Sequence, residues 1–156
     1  GGGGGGGRAG ATASATASGR RADATVFALH GELGAGKTAF VQALARALGV
    51  RAHVPSPTFV IMRRYSIPPI PAHSYFSSLV HIDAYRVESL EELRVIGFAD
   101  MLREPRTLIC VEWAERIAEA MPKDALHLTF SHRDAEGGGT SRKVLYGYEN
   151  ETNEKS

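Results

Sequence analysis

The chain has 156 residues, a hydrophobic fraction of 43%, a charged fraction of 22% and a formal net charge of +1. That size is one domain with room for a real core, and no stretch approaches the roughly 20 apolar residues that a membrane-spanning helix needs. A charge so near zero speaks against a dedicated nucleic-acid binder, and the lone Cys110 excludes an internal disulfide and fits a buried thiol in a reducing, cytoplasmic setting.

Residues 1–23 read as a low-complexity segment. Seven glycines open it, Gly, Ala, Ser and Thr dominate to Ala22 with Arg8, Arg20 and Arg21 among them, and no acid precedes Asp23. Such a composition buries too little surface to offset chain entropy, so disorder is expected. Arg- and Ser-rich, acid-poor sequence also fits an organelle transit peptide, and both accounts stay open. A folded domain is expected over 24–148, followed by a polar, fraying tail over 149–156.

Thr25-Val-Phe-Ala-Leu-His30 is β-branched and apolar and predicts a buried parallel strand. Next comes GELGAGKT, a complete G-x-x-x-x-G-K-[ST] phosphate loop. In such a loop the backbone N–H groups of Gly31, Glu32, Leu33, Gly34, Ala35 and Gly36 turn inward around a polyphosphate, and glycine avoids the clashes a Cβ would bring. Lys37 can reach the outer phosphates, and the Thr38 hydroxyl can hold Mg²⁺. Phe40, Val41, Leu44, Ala45 and Leu48 then share one helical face that Gly49 ends at a C′ position. The helix N-terminus adds its orphan donors and partial positive charge to the same site.

Pro55 and Pro57 force an extended entry, and Thr58-Phe-Val-Ile-Met62 predicts a strand. Ser66 to Ser78, with three prolines, predicts a loop, and Ser78 to Asp83 the next strand. Ser89 and Glu92 form a capping-box pair opening a short helix with Leu90, Leu93 and Ile96 on one side, interrupted by Gly97. Thr107 to Glu112 predicts a buried strand running into an acid, and Trp113 to Met121 a short amphipathic helix closed by Pro122. Leu126, Leu128 and Phe130 alternate with polar residues, as do Val144, Tyr146 and Tyr148, which predicts an antiparallel hairpin at the sheet edge. The fold expected is α/β, a P-loop NTPase-like three-layer arrangement whose central sheet is mostly parallel with that antiparallel C-terminal edge hairpin.

A phosphate loop needs a carboxylate at the end of a neighbouring strand to hold Mg²⁺ directly or through water. Glu112, at the carboxyl end of an apolar strand, fits that place, and ligands of open α/β sheets gather there. Asp83 ends the other strand and reads either as the group that orients attacking water or as a turn aspartate. His81 is either a pH-sensitive partner or a structural histidine. Ser56 and Thr58 lie where switch segments of P-loop NTPases sense the γ-phosphate, and they also suit a rigid connector. Trp113 is either a nucleotide neighbour or core, and Arg142 either a phosphate or adenine contact or a solvated charge at a strand end. Lys37, Asp83 and Glu112 are the candidate catalytic groups.

GELGAGKT at 31–38, SPTF at 56–59, HIDAYR at 81–86, LEEL at 90–93 with Gly97 after it, and VEWAE at 111–115 together resemble the TsaE family, over about Val26 to Tyr146. The resemblance implies a small ATPase required for threonylcarbamoyladenosine formation at position 37 of tRNAs. It implies ATP binding by Lys37 and the loop, Mg²⁺ binding by Thr38 and Glu112, functional positions at Asp83 and Trp113, and a switch-like segment at Thr58. Ser141 and Arg142 match a stretch that contacts nucleotide. The implied partners are the threonylcarbamoyl transferase TsaD and its inactive paralogue TsaB, with tRNA engaged only through them and no membrane. Hydrolysis is implied to reset that complex. Apart from the resemblance, turnover without a partner is expected to be slow, because no arginine finger is evident near the acids, although Arg86 lies close in sequence to Asp83. The chain departs from the family in carrying low-complexity residues where a nucleotide-base-holding segment precedes the first strand, and in a longer, Pro-rich loop over 67–77. Two other readings remain: a small-molecule or nucleotide kinase on the same fold, and a non-hydrolysing, nucleotide-gated binding module.

Overall fold

The computed structural model describes residues 23–32, 36–54, 60–69, 75–134 and 140–148. Among them, strands β1 (Thr25–His30), β2 (Met62–Ser66), β3 (Ser78–Asp83), β4 (Thr107–Glu112), β5 (Leu126–Asp134) and β6 (Thr140–Tyr148) form a single six-stranded sheet in the order β2-β3-β4-β1-β5-β6. The four inner strands are parallel, and β2 and β6 run antiparallel to their neighbours at the two edges. The fold class is therefore the expected one, with its antiparallel hairpin β5–β6. The second antiparallel edge, β2, lay beyond the sequence expectation.

Alternation along the strands builds two cores. Leu29, Leu79, Leu108, Cys110, Leu128 and Phe130 face helix α1 (Lys37–Ala47), whose Val41 and Ala45 are fully packed against them. Val26, Ala28, Val80, Ile82, Ile109 and Val111 face the other way, onto Leu93 of α2 (Leu90–Val95), Phe98 and Met101 of α3 (Phe98–Met101), and Ile117. Each fully buried Leu, Ile or Val contributes about 1.5–3 kcal/mol relative to exposure, so a sheet covered on both faces is well anchored at its centre. All six residues of β4 are buried, as expected for a central parallel strand. Helix α1 ends in a Schellman motif: Gly49 (φ +83°) donates to the Arg46 carbonyl at 3.0 Å and Val50 to the Ala45 carbonyl at 2.9 Å.

The edges of several elements differ from expectation. Of the strand expected over 58–62, Thr58 and Phe59 lie outside the described residues, Val60 and Ile61 are not in a strand, and β2 runs from Met62 to Ser66. Tyr65 packs into the core on the α1 face and half-buried Met62 against the opposite one, while Arg63, Arg64 and Ser66 are exposed, so an edge strand with few buried positions gives the apolar run little to follow. The helix expected from Trp113 is a 3-10 segment, Ala114–Ala120, broken at Ile117 (φ −126°). Ala114, Ile117 and Ala120 lie three apart, the period that stacks on one face of a threefold helix, and all three meet the core. In α2 the Glu92 carboxylate accepts the backbone N–H groups of Glu88 (2.6 Å) and Ser89 (3.2 Å), as the capping box predicts. Leu90, however, is 48% exposed rather than packed. Among the described residues no helix is long and apolar enough to cross a membrane.

Candidate functional site

The parallel strands β1, β3 and β4 end together, and their period-two alternation decides what meets there. Leu79 and Cys110 face α1, so His81 and Asp83 of β3 and Glu112 of β4 face it too. Asp83 and Glu112 are direct register partners. From the other side, the phosphate loop delivers Lys37 and Thr38 as the first two residues of α1. Two glycines make that entry possible. Gly36 sits at φ +107° as the residue before the helix, and Gly31 at φ +133° lies so close to β5 that an added Cβ would stand 2.4 Å from the Phe130 carbonyl oxygen.

Glu112 is the meeting point. Its side chain is 6% exposed. The Thr38 hydroxyl donates to Oε1 at 2.9 Å and to Oε2 at 3.2 Å, and His81 Nε2 lies 2.5 Å from Oε2. A hydroxyl and a carboxylate are both hard oxygen donors. At Mg²⁺–oxygen distances of about 2.1 Å, adjacent corners of an octahedron lie about 3.0 Å apart, so this pair has the spacing of two neighbouring Mg²⁺ ligands. Among the described residues no group of three or more His, Cys, Asp or Glu is placed to hold a metal by itself. A cation at this pair would draw its other ligands from phosphate and water, as Mg²⁺ commonly does.

Lys37 is 4% exposed. Its ammonium donates to the Gly31 carbonyl and lies 3.6 Å from the centre of the Trp113 ring. Burial lowers its pKa from the ordinary lysine value, against the opposing charges of Glu112, Glu115 and Asp83. Burial likewise raises the Asp83 pKa, with the Tyr85 N–H (3.0 Å from Oδ1) opposing and the Glu112 charge adding to the rise. Trp113 follows β4 in a left-handed conformation (φ +56°, ψ +43°), one of only two such non-glycine residues among those described. On its flank stands Tyr85, ring centres 5.0 Å apart, and the Arg116 guanidinium lies 5.0 Å from the Tyr85 ring centre.

Of the expected site residues, Gly31, Gly36, Lys37, Thr38, Asp83, Glu112 and Trp113 come together, and Glu32 leads into the loop as an exposed residue. Leu33, Gly34, Ala35, Ser56 and Thr58 lie outside the described residues. Ser141 and Arg142 are β6 positions paired in register with Arg133 and His132. Sequence reasoning left His81 undecided, although its place two residues before Asp83 put it on the same face. It missed Tyr85 and Arg116, whose contacts join segments distant in sequence. Across the sheet, on the opposite face, His30 Nδ1 meets Glu115 Oε2 at 3.0 Å and His30 Nε2 meets His127 Nδ1 at 2.8 Å.

Comparisons with known proteins place the chain in a family. Residues 8–144 match the family model described as threonylcarbamoyl adenosine biosynthesis protein TsaE. That match begins upstream of Val26, where the motif resemblance starts. The chain is 42% identical over 119 residues to the tRNA threonylcarbamoyladenosine biosynthesis protein TsaE of Streptomyces coelicolor, covering 76% of this chain and 74% of that one. It is 37% identical over 121 residues to the protein of the same name from Bacillus subtilis, covering 78% and 68%. The crystal structure of Bacillus subtilis YdiB superposes with a TM-score of 0.56 at 27% identity, covering 83% of this chain and 72% of that one. The chain belongs to the TsaE family of threonylcarbamoyladenosine biosynthesis proteins.

Proposed function

We propose that this protein is a Mg²⁺-dependent ATPase whose hydrolysis supports threonylcarbamoylation of adenosine 37 in tRNA, by driving or resetting a complex of the transferase TsaD and its paralogue TsaB. One observation carries the reading: Thr38, at the start of α1, and Glu112, at the end of β4, place hydroxyl and carboxylate oxygens 2.9 Å apart beside Lys37.

The chain's own groups divide the work. Loop N–H groups and the Lys37 ammonium bind the phosphates, and their fixed orientation means little reorganisation is needed as charge develops on the transferred phosphoryl group. Thr38 and Glu112 would hold Mg²⁺, which would supply charge neutralisation to the phosphates. His81 orients Glu112 from behind. Asp83, whose raised pKa gives it a stronger hold on protons, orients the attacking water at the strand ends. No arginine finger was evident in the sequence, which fits turnover that is slow until a partner contributes one.

The test is ATP hydrolysis with and without the TsaD–TsaB complex, comparing the wild type with Lys37→Ala and Glu112→Ala. The expected result is partner-stimulated turnover in the wild type alone, with both variants folded by circular dichroism. Phosphoryl transfer to a small hydroxyl or phosphate acceptor would favour a kinase instead. Tight ATP binding without turnover, partners included, would favour a nucleotide-gated module.

A further inference from the structure

We propose that Tyr85 and Arg116 are positioning residues that hold the Trp113 ring against Lys37 and so pre-orient its ammonium for a phosphate oxygen. The proposal deepens the nucleotide-site reading and rests on it for the identity of the ligand.

The observation is a continuous stack that begins at the loop lysine and ends at the surface. Lys37 Nζ stands 3.6 Å over the Trp113 ring, Trp113 and Tyr85 pack with ring centres 5.0 Å apart, and Arg116 lies 5.0 Å from the Tyr85 ring centre. Two aromatic rings stand between two cations, and each step is attractive through the ring quadrupole or through offset ring packing. An ammonium has three donors. Here one goes to the Gly31 carbonyl and one side is covered by the indole, which leaves a donor for an incoming anion. A free lysine side chain loses much rotamer freedom on binding, so an amine already fixed between carbonyl and ring loses less on binding phosphate.

Trp113 does not adopt this place freely. Its left-handed backbone (φ +56°) is disfavoured for a bulky side chain and persists only where its surroundings impose it. Tyr85 and Arg116 are the groups that flank the ring chain on its outer side. Both are exposed, Tyr85 at 42%, so neither is needed to fill the core.

Trp113 is the chain's only tryptophan, and its emission therefore reads the contact directly. The first arm needs no nucleotide. Lys37→Met is expected to change the Trp113 emission of the wild-type background, and that change is expected to vanish in Tyr85→Ala and to shrink in Arg116→Ala. Tyr85→Phe, which keeps the ring, should restore it. The second arm is calorimetric titration with the non-hydrolysable triphosphate AMP-PNP and Mg²⁺. Tyr85→Ala should bind about two- to tenfold more weakly, the fold-change that one aromatic pair is worth, and Tyr85→Phe as the wild type does. A Lys37→Met emission change that persists undiminished in Tyr85→Ala overturns the proposal, as does unaltered triphosphate affinity in that variant. If the wild type itself fails to bind the triphosphate, the nucleotide reading falls, and the emission arm alone decides whether the stack holds the ring.

Discussion

Replacing His81 with leucine isolates what the buried histidine does for Glu112. The imidazole is 1% exposed and its Nε2 sits 2.5 Å from Glu112 Oε2. In His81→Leu, the carboxylate keeps Thr38 as its other hydrogen-bond partner among the described residues. A hydrogen bond to a charged group is worth about 1.5–3 kcal/mol, and a buried acceptor left short of a donor loses toward the upper end. The expected destabilisation is therefore about 2–3 kcal/mol. With a urea m-value of about 1–3 kcal/mol per molar, the unfolding midpoint should fall by roughly 1 M at neutral pH. The decisive arm is a double-mutant cycle with Glu112→Gln. Removing the charge removes most of what His81 serves, so the double variant should be at least ~1 kcal/mol more stable than the sum of the single losses implies. A loss below about 0.5 kcal/mol for His81→Leu, or strict additivity, would refute the claim that His81 acts through Glu112.

Gly31→Ala should lose about 2 kcal/mol or more in the same unfolding assay, because its Cβ would meet the Phe130 carbonyl oxygen at 2.4 Å on a backbone with φ +133°. Asp83→Asn should stabilise the protein at pH 7. The raised pKa of Asp83 means that the folded state binds more protons than the unfolded one, so its contribution to stability declines as pH rises from the ordinary carboxylate pKa of about 3.9 through the raised folded value. The difference between the two proteins should accordingly disappear below pH ~4, and an equal difference at pH 4 and pH 7 would contradict it. Cys110 is fully buried, and burial, with the nearby Glu112 charge, pushes its thiol up far beyond the reactive range. Native protein should resist iodoacetamide at pH 8 and be alkylated in urea, as mass spectrometry would show; rapid native labelling would place the residue elsewhere.

What was legible in the sequence followed from local pattern. β1, β3 and β4 have the expected limits because each is a β-branched or apolar run bounded by turn residues or an acid, and burial on both faces leaves little freedom of register. Strand-end acids next to a glycine loop were enough to pair Thr38 with Glu112 across two elements. β2 was placed too early because an edge strand carries arginines outward and needs few apolar residues. The amphipathic pattern predicts a short helix after β4 but not its 3-10 form, because threefold and 3.6-fold patterns diverge little over so short a stretch. The left-handed Trp113 had no signal at all: tryptophan does not announce positive φ as glycine does, and the rings and charges around it come from the turn after β3 and the segment after β4.

The closeness of Gly31 to Phe130 reaches beyond its own residue. The carbonyl of Gly31 anchors Lys37, while its α-carbon rests against the backbone of the strand that leads into the outer hairpin. A side chain at position 31 would therefore have to displace β5 or the carbonyl that meets Lys37. One residue thus sets both the spacing to the inner strand of the hairpin and the carbonyl that fixes the lysine ammonium.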